Sequence, residues 1–545
     1  MRTPSRLQWL LLIGLPITGC SGSNAATTTD ASVDSGAGGD TGSDALGFET
    51  DLDSGPNIDV TTCAGAAAAK SYIGCDYWPT VTANQVWSIY DFAVVVANAG
   101  ADVASVSVSG PGAFSSATTV APGAIAKIYL PWVANLKGPD SDSCGDIVPS
   151  GGTTLAKASA YHLVSDKPVS VYQFNPLEYK PAGGPATKDW TKCPGDPKCG
   201  GCFSFTNDAS LLLPTSAMTG NYRVAGFHGW TSTTNPTGQS SYVSVTGTQD
   251  GTVVKMQVGK HGSVLAGGGV VATAAGGVVT FTLDKGDVAQ VMGGASTDSD
   301  LSGSLLEATA PVQVITGSPC MENPIGTGEC DHLEETVFPA ETLGKKYVVT
   351  VPTGPHGHVV GHVARLYGHV DSTHLTYQGT TPTGAPTALN AGDVVDLGVV
   401  AADFVVQGDQ PFLVGTFQLG SNLADSAKLE GDPSQSFASA TEQYRKKYVF
   451  LAPDDFLESW ADVIAPTGTN VTIDGAVPTV TAIAIGASGY GVLRIPLTAG
   501  NAGGHLLVAD QPVGLQVIGY GLYASYQYPG GSNFDFIADP PPAIH

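Results

Sequence analysis

Val406-Gln-Gly-Asp-Gln-Pro411-Phe-Leu-Val414 and Leu507-Val-Ala-Asp-Gln-Pro512-Val-Gly-Leu515 are two copies of one pattern. Leu163-Val-Ser-Asp-Lys-Pro168-Val-Ser-Val171 and Leu306-Glu-Ala-Thr-Ala-Pro311-Val-Gln-Val314 are two more. Counted from each Pro, positions −5, +1 and +3 are apolar and −3 is small (Ser165, Ala308, Gly408, Ala509). Apolar residues two apart place one face of a strand in a core. The short link before each Pro suits a tight turn, and Pro is tolerated as the first residue of a return strand. The pattern therefore predicts a repeated β-hairpin. Ser170 and Gly514, two residues after their prolines, are expected on the opposite face and open to small polar changes.

A second marker opens the later copies: Tyr222-Arg-Val, Lys346-Tyr347-Val-Val and Lys447-Tyr448-Val-Phe. Tyr347 precedes Pro411, and Tyr448 precedes Pro512, by the same 64 positions, and the two copies are offset by 101. Between the markers lie alternating β-rich runs and turns such as Asn470-Val-Thr-Ile-Asp-Gly475 and Gly392-Asp393. Six or seven short strands per unit fit a small antiparallel sandwich. The expected fold class is all-β, with about four tandem β-sandwich-like units over 80–180, 215–320, 340–425 and 440–525. A β-propeller-like closed array is the alternative. The first unit is the divergent one, opening after Trp78-Pro79 and Trp87 and running from about Tyr90 to Phe174.

Composition agrees with many turns and little helix: 70 Gly and 36 Pro in 545 residues, with 13% charged, about half the usual share. A formal net charge of −25, from 23 basic and 48 acidic residues, excludes a basic footprint for nucleic acid. After the first twenty residues no apolar run reaches the 18 or so that span a bilayer.

Arg2 and Arg6 precede the apolar run Leu7–Ile17, which ends in Ile17-Thr18-Gly19-Cys20. This is the layout of a secretory signal, and its end resembles the lipobox of bacterial lipoproteins. The resemblance implies a signal peptide over 1–20, lipid on Cys20, and export to the outer membrane or cell surface. Residues 21–60 hold eight acids and no Lys or Arg, the composition of an extended, disordered acidic linker. Of the nine Cys, one is thereby assigned to lipid. The other eight, Cys63, Cys75, Cys144, Cys193, Cys199, Cys202, Cys320 and Cys330, can pair as four disulfides, as suits an exported chain. Local pairs Cys63–Cys75 and Cys320–Cys330 are the simplest, leaving the other four to pair among themselves. Cys199-Gly-Gly-Cys202 has zinc-knuckle spacing, but a lone C-x-x-C in an exported chain reads first as oxidised thiols.

Ser204-Phe-Thr-Asn-Asp-Ala-Ser-Leu-Leu-Leu-Pro214 and Cys330-Asp-His-Leu-Glu-Glu335, followed by Pro339 and Gly344-Lys-Lys-Tyr347, resemble the N-terminal IgGFc-binding domain family. Gly74-Cys75-Asp-Tyr77 and the turn Asp300-Leu-Ser-Gly303 resemble it too. The resemblance extends over 61–545. It implies a non-enzymatic binding or adhesion role with a protein or glycoprotein ligand and no cofactor. The animal protein that names the family carries a self-cleaving Gly-Asp-Pro-His motif. Here Gly431-Asp432-Pro433-Ser434 has Ser in place of that His, and it is read as a turn.

No G-x-S-x-G, H-E-x-x-H or G-x-x-x-x-G-K-[ST] motif occurs, so no catalytic residue is assigned. His356, His358, His362, His369 and His374 crowd into nineteen positions. No acid lies within 356–370 to complete a site, so they are read as a surface loop and no metal is assigned. Asp331, Glu334 and Glu335 around His332 are read as a polar turn. Two functional classes stand: a surface-displayed binding lipoprotein and, as the alternative, an exported hydrolase acting on polysaccharide or protein through carboxylates that no linear motif reveals.

Overall fold

The computed structural model describes residues 59–140, 148, 150–193, 201–232, 235–497 and 503–545. Their regular structure is almost entirely antiparallel β. In the third unit, one sheet runs in the order Val394–Val400, His362–Gly368, Phe412–Gln418, Gln435–Phe437. A second runs Ala388–Leu389, Thr373–Gly379, Phe404–Gly408, Lys346–Val349, the first of these pairs being short.

The other three units repeat this plan. Their first sheets end in the strands Asp208–Leu211, Asp331–Thr336 and Ala524–Pro529, which correspond to Gln435–Phe437. These four inner strands pack in a ring, each against two neighbours, and their sheets form the blades of a four-bladed, propeller-like array. Of the two architectures expected from sequence the alternative, the propeller-like closed array, is the one observed.

The Pro motif is not a hairpin. The segments before and after each Pro do not pair with each other. Phe404–Gly408 pairs with Lys346–Val349 and Thr373–Gly379, whereas Phe412–Gln418 pairs with His362–Gly368 and Gln435–Phe437. In the first and last units the chain runs through Pro168 and Pro512 as single strands, His162–Asn175 and Gly504–Gly521, that leave one sheet for the other midway. A residue without an N–H suits the place where a strand has no continuous ladder partner.

The apolar register of the motif holds. Leu163, Leu306, Val406 and Leu507 are buried before the Pro, and Val169, Val312, Phe412 and Val513 after it. At +3, Val171, Val314, Val414 and Leu515 are buried as well. The expectation for Ser170 and Gly514 fails. Ser170 is 2% exposed and donates to Val449 O at 3.4 Å. A Cβ on Gly514 would lie 2.6 Å from the Tyr444 ring. In a closed ring the second face of each blade is covered by the next unit, so neither face is free for polar change.

The tyrosine markers explain the fixed spacing. Tyr222, Tyr347 and Tyr448 donate their hydroxyls to Val312 O, Phe412 O and Val513 O, at 2.7, 2.5 and 2.5 Å. Tyr77 does the same to Val169 O at 2.6 Å. The first unit therefore opens at Gly74–Tyr77, earlier than expected, and each unit extends to its inner strand.

Ring closure joins the first unit to the last. Ser71 bridges to Asn533, Phe534 N donates to Lys70 O at 2.7 Å, and Tyr72 Oη both donates to Val449 O and accepts from Val449 N. Between the second and third units Arg365 donates to Gly226 O and to Asp300 at 2.6 and 2.5 Å, fully inside the protein. The turn Asp300–Gly303 thus serves two purposes. Asp300 also accepts from Ser302 N at 2.8 Å, and Gly303 adopts φ +81°, which favours Gly.

Candidate functional site

The ring axis is lined with carboxyls. Asp208 accepts main-chain N–H bonds from Ala209, from Glu334 in the second blade and from Gln435 in the third, at 2.9, 3.0 and 2.9 Å. One side chain thereby fastens three inner strands. Glu335 accepts from Leu211 N at 3.2 Å and Thr336 N at 2.8 Å. Glu334 accepts from Thr82 Oγ1 at 2.9 Å and Gln173 Nε2 at 3.2 Å. His332 Nε2 lies 3.1 Å from Asn175 Nδ2.

Asp331, His332, Glu334 and Glu335 are therefore not a polar turn. They form the inner strand of the second blade and are all 0% exposed. Polar residues on a strand look like a solvated edge in sequence, but here the axis supplies their partners. Burial pushes the carboxyls of Asp208, Asp331 and Glu335 well above the usual range, against the main-chain N–H groups that favour charge.

At the end where the inner strands begin, four non-glycine residues hold left-handed backbones: Phe205 (φ 58°), Glu329 (52°), Leu429 (60°) and Tyr523 (48°). One precedes each inner strand. Phe205 meets Tyr523 edge-on at 5.4 Å and stacks on Phe203 at 5.5 Å. Tyr523 N donates to Leu429 O at 2.9 Å, and the charges of Glu329 and Asp432 act on Tyr523. Each left-handed L-residue costs about 1–2 kcal/mol. Strain placed four times around one axis, with aromatic and acidic side chains, marks this end as the candidate ligand face.

The five histidines separate. His362 is buried in its blade, and burial with the neighbouring Arg494 pushes it down to about 3. His369 is pushed down to about 4 by burial and Arg223. His374 sits on the surface against Asp409, at 2.8 Å. His358 is exposed. His356 alone of the five lies within 4 Å of more than one acid: Nε2 lies 3.3 Å from Asp425 and 3.4 Å from Glu430, and Nδ1 lies 3.8 Å from Glu458. The group has metal-binding potential, and Lys428 Nζ stands 3.1 Å from the same Nε2. These acids come from other segments, so the sequence around the histidines does not announce them.

Among the described residues three disulfides are closed: Cys63–Cys75, Cys193–Cys202 and Cys320–Cys330. Cys199-Gly-Gly-Cys202 is accordingly no zinc knuckle, since Cys202 is bonded to Cys193. Cys20, the linker acids, Cys144 and Cys199 lie outside the described residues. Gly431-Asp432-Pro433-Ser434 is a buried stretch leading into Gln435–Phe437. No helix among the described residues is long and apolar enough to cross a membrane.

A family profile described as IgGFc binding protein matches residues 208–519, from the first inner strand at Asp208 into the last blade. The chain belongs to the IgGFc-binding family. The human IgGFc-binding protein is 33% identical over 125 residues, which is 23% of this chain and 2% of that protein. The family match covers the second and third blades and part of the fourth, and begins at the carboxylate that fastens the inner strands of the first three. Membership in the IgGFc-binding family supports a binding role rather than an enzymatic one, and the disulfides fit an oxidising, extracellular setting.

Proposed function

We propose that this chain is an exported binding protein, held at the outer membrane or cell surface by lipid on Cys20, whose ligand is a protein or glycoprotein. The match to the IgGFc-binding family over 208–519 carries this reading. The ligand meets the ring at the end where Phe205, Glu329, Leu429 and Tyr523 are strained. The 21–60 segment acts as the spacer between lipid and ring.

Full-length protein immobilised on a sensor and challenged with immunoglobulin Fc, then with a panel of glycoproteins, is expected to form a stable complex without consuming the ligand. Phe205→Gly with Tyr523→Gly relieves backbone strain and removes the aromatic contact, so it should weaken that complex while the melting temperature stays within a few degrees. Turnover of a polysaccharide or protein substrate with no stable complex would replace this reading with the exported hydrolase. Cys20→Ser is expected to release the protein from membranes, and retention of that variant through a salt wash would remove the lipid anchor from the reading.

A further inference from the structure

Asp91 and Glu178 are held on neighbouring strands of the first unit. Asp91 precedes Phe92–Ala97, Glu178 follows His162–Asn175, and these two strands are paired. Leu177 N donates to Asp91 O at 3.0 Å, which carries that pairing on to both residues. Lys188 enters from the loop that follows, and its stem passes Gly184 (φ +79°), where a Cβ would lie 2.6 Å from Glu178 Oε1 and 2.9 Å from Lys188 Cδ and Cε. A glycine leaves the lysine that room.

Three reactive side chains thereby meet inside the protein. Lys188 Nζ lies 2.5 Å from Asp91 Oδ2 and 3.0 Å from Glu178 Oε1, with the Lys188 and Glu178 side chains 7% and 0% exposed. Glu178 Oε2 accepts from Asp91 N at 2.8 Å, so one carboxyl touches both other residues. The Trp190 ring covers Nζ at 4.5 Å and packs on Tyr90. Close as it is, the Lys188–Asp91 contact is not a hydrogen bond, because Asp91 Oδ2 is buried without a hydrogen-bond partner. Nζ meets that oxygen outside hydrogen-bond geometry. With a carboxyl C–O bond of about 1.2 Å, Asp91 Cγ stands no more than about 3.7 Å from Nζ, close to the about 3–3.5 Å of a near-attack arrangement.

We propose that Lys188 and Asp91 become joined by an isopeptide bond between Nζ and Cγ, formed by the folded protein itself with Glu178 as the proton carrier. The lone pair of Nζ makes the new bond to Cγ, and one Cγ–O bond breaks. Two of the three ammonium protons, passed on by Glu178, leave with that oxygen as water, and the nitrogen keeps the third. Nothing is oxidised or reduced, and no co-reactant is needed. Burial pushes the Glu178 carboxyl up to about 7, against the attraction of Lys188, so it can take and give a proton near neutral pH. In water the condensation is opposed by the solvation of both charges. Here the pair is already desolvated, which is costly to maintain, and the neutral amide removes both charges. The link staples the loop carrying Lys188 to the sheet of the first unit and, unlike the disulfides, resists reduction. All three residues lie outside 208–519, so the inference does not rest on the family match or on the ligand reading above.

The full-length protein is denatured, reduced and digested with trypsin, and its peptides are read by mass spectrometry. The expected product is a branched species in which the peptide containing Asp91 is joined to the one containing Lys188, lighter by one water than the two together and uncut after residue 188. Lys188→Arg and Asp91→Ala should each regain that water in the intact mass, after allowance for the substitution, and Glu178→Gln should leave most chains unlinked. If a variant fails to fold, the unaltered protein decides by itself. Separate Asp91 and Lys188 peptides at full yield from the unaltered protein would overturn the proposal and leave a plain buried ion pair. A link from Lys188 to Glu178 instead of Asp91, a water loss that persists in Lys188→Arg, or complete linking in Glu178→Gln would overturn it as well.

Discussion

The hydroxyl of Tyr347 donates to the main-chain carbonyl of Phe412, 65 residues further on and one residue past Pro411. The same hydroxyl accepts from Gly344 N at 3.2 Å. The tyrosine opening the outer sheet thus pins the point at which the chain crosses into the blade, and Tyr77, Tyr222 and Tyr448 do so in the other three units. Tyr347→Phe leaves a buried carbonyl and a buried N–H short of a partner. A loss of about 1–3 kcal/mol is expected, read by chemical denaturation. A loss below a few tenths of a kcal/mol would mean that the crossing is held by strand pairing alone.

Val414 and Leu515 occupy equivalent positions in different apolar clusters. Truncating either to Ala should cost about 2–4 kcal/mol. The two losses should add to within about 0.5 kcal/mol, because the residues share no partners. Strong coupling in the double variant would show that the third and fourth units melt as one core. Gly514→Ala, although smaller in volume change, is expected to destabilise too, since its methyl collides with Tyr444.

Arg365 and Asp300 are paired at 2.5 Å with side chains 4% and 8% exposed. Burial would raise Asp300, but Arg365 and the Ser302 contacts hold it below the usual carboxylate range. Arg365→Met strands that charge and also removes the donor to Gly226 O. A cost of about 3–5 kcal/mol is expected, measured by denaturation at neutral pH. Adding Asp300→Asn should recover part of it, and no recovery would mean that the Gly226 contact dominates.

Stability should fall as pH rises above about 6.5. Asp208, Asp331, Glu335 and Asp432 are raised well above their ordinary values by burial. Glu178 is pushed up to about 7 by burial, against the attraction of Lys188. A carboxyl with a raised folded pKa binds its proton more tightly when folded. Its contribution is complete below the unfolded value and is lost as pH climbs through the folded one. His362 and His369, lowered to about 3 and about 4 by burial, act in the opposite sense, but only below their unfolded value of 6.5. Melting temperatures should therefore decline as pH rises above about 6.5, with a slope of up to about 1.4 kcal/mol per pH unit for each carboxyl titrating there. Asp208→Asn should flatten the decline. A melting temperature that rises across this window would show that the axial carboxyls are ionised in the folded ring.

The repeat and its strand register were legible in sequence because Leu507, Val513 and Leu515 follow a simple period of two. The crossing at Pro512 was not, because a hairpin and a strand that changes sheets share that period and differ only in distant partners. The equal spacing was visible only in the last two units, where Tyr347 and Tyr448 stand 65 residues before their carbonyls, against 92 for Tyr77 and 90 for Tyr222. The axis was the least legible part. Asp331, Glu334 and Glu335 have the composition of exposed turns, and their acceptance into the interior depends on Asp208, Thr82 and Gln173 from another blade. His356 likewise finds Asp425 and Glu430 only through the fold.

The clasp that joins Ser71 to Asn533 and Lys70 to Phe534 has a consequence for how the chain reaches its final form. The three disulfides among the described residues span only 12, 9 and 10 positions, so each of these secures a loop and none of them encircles the ring. The seam rests on contacts between segments more than 460 residues apart in the chain, where loop-closure entropy makes assembly slow. During synthesis the first blade emerges with its seam edge bare and stays so until the residues around Asn533 have followed. An emerging chain therefore carries the Lys70–Tyr72 side of the seam without its partners through most of its synthesis.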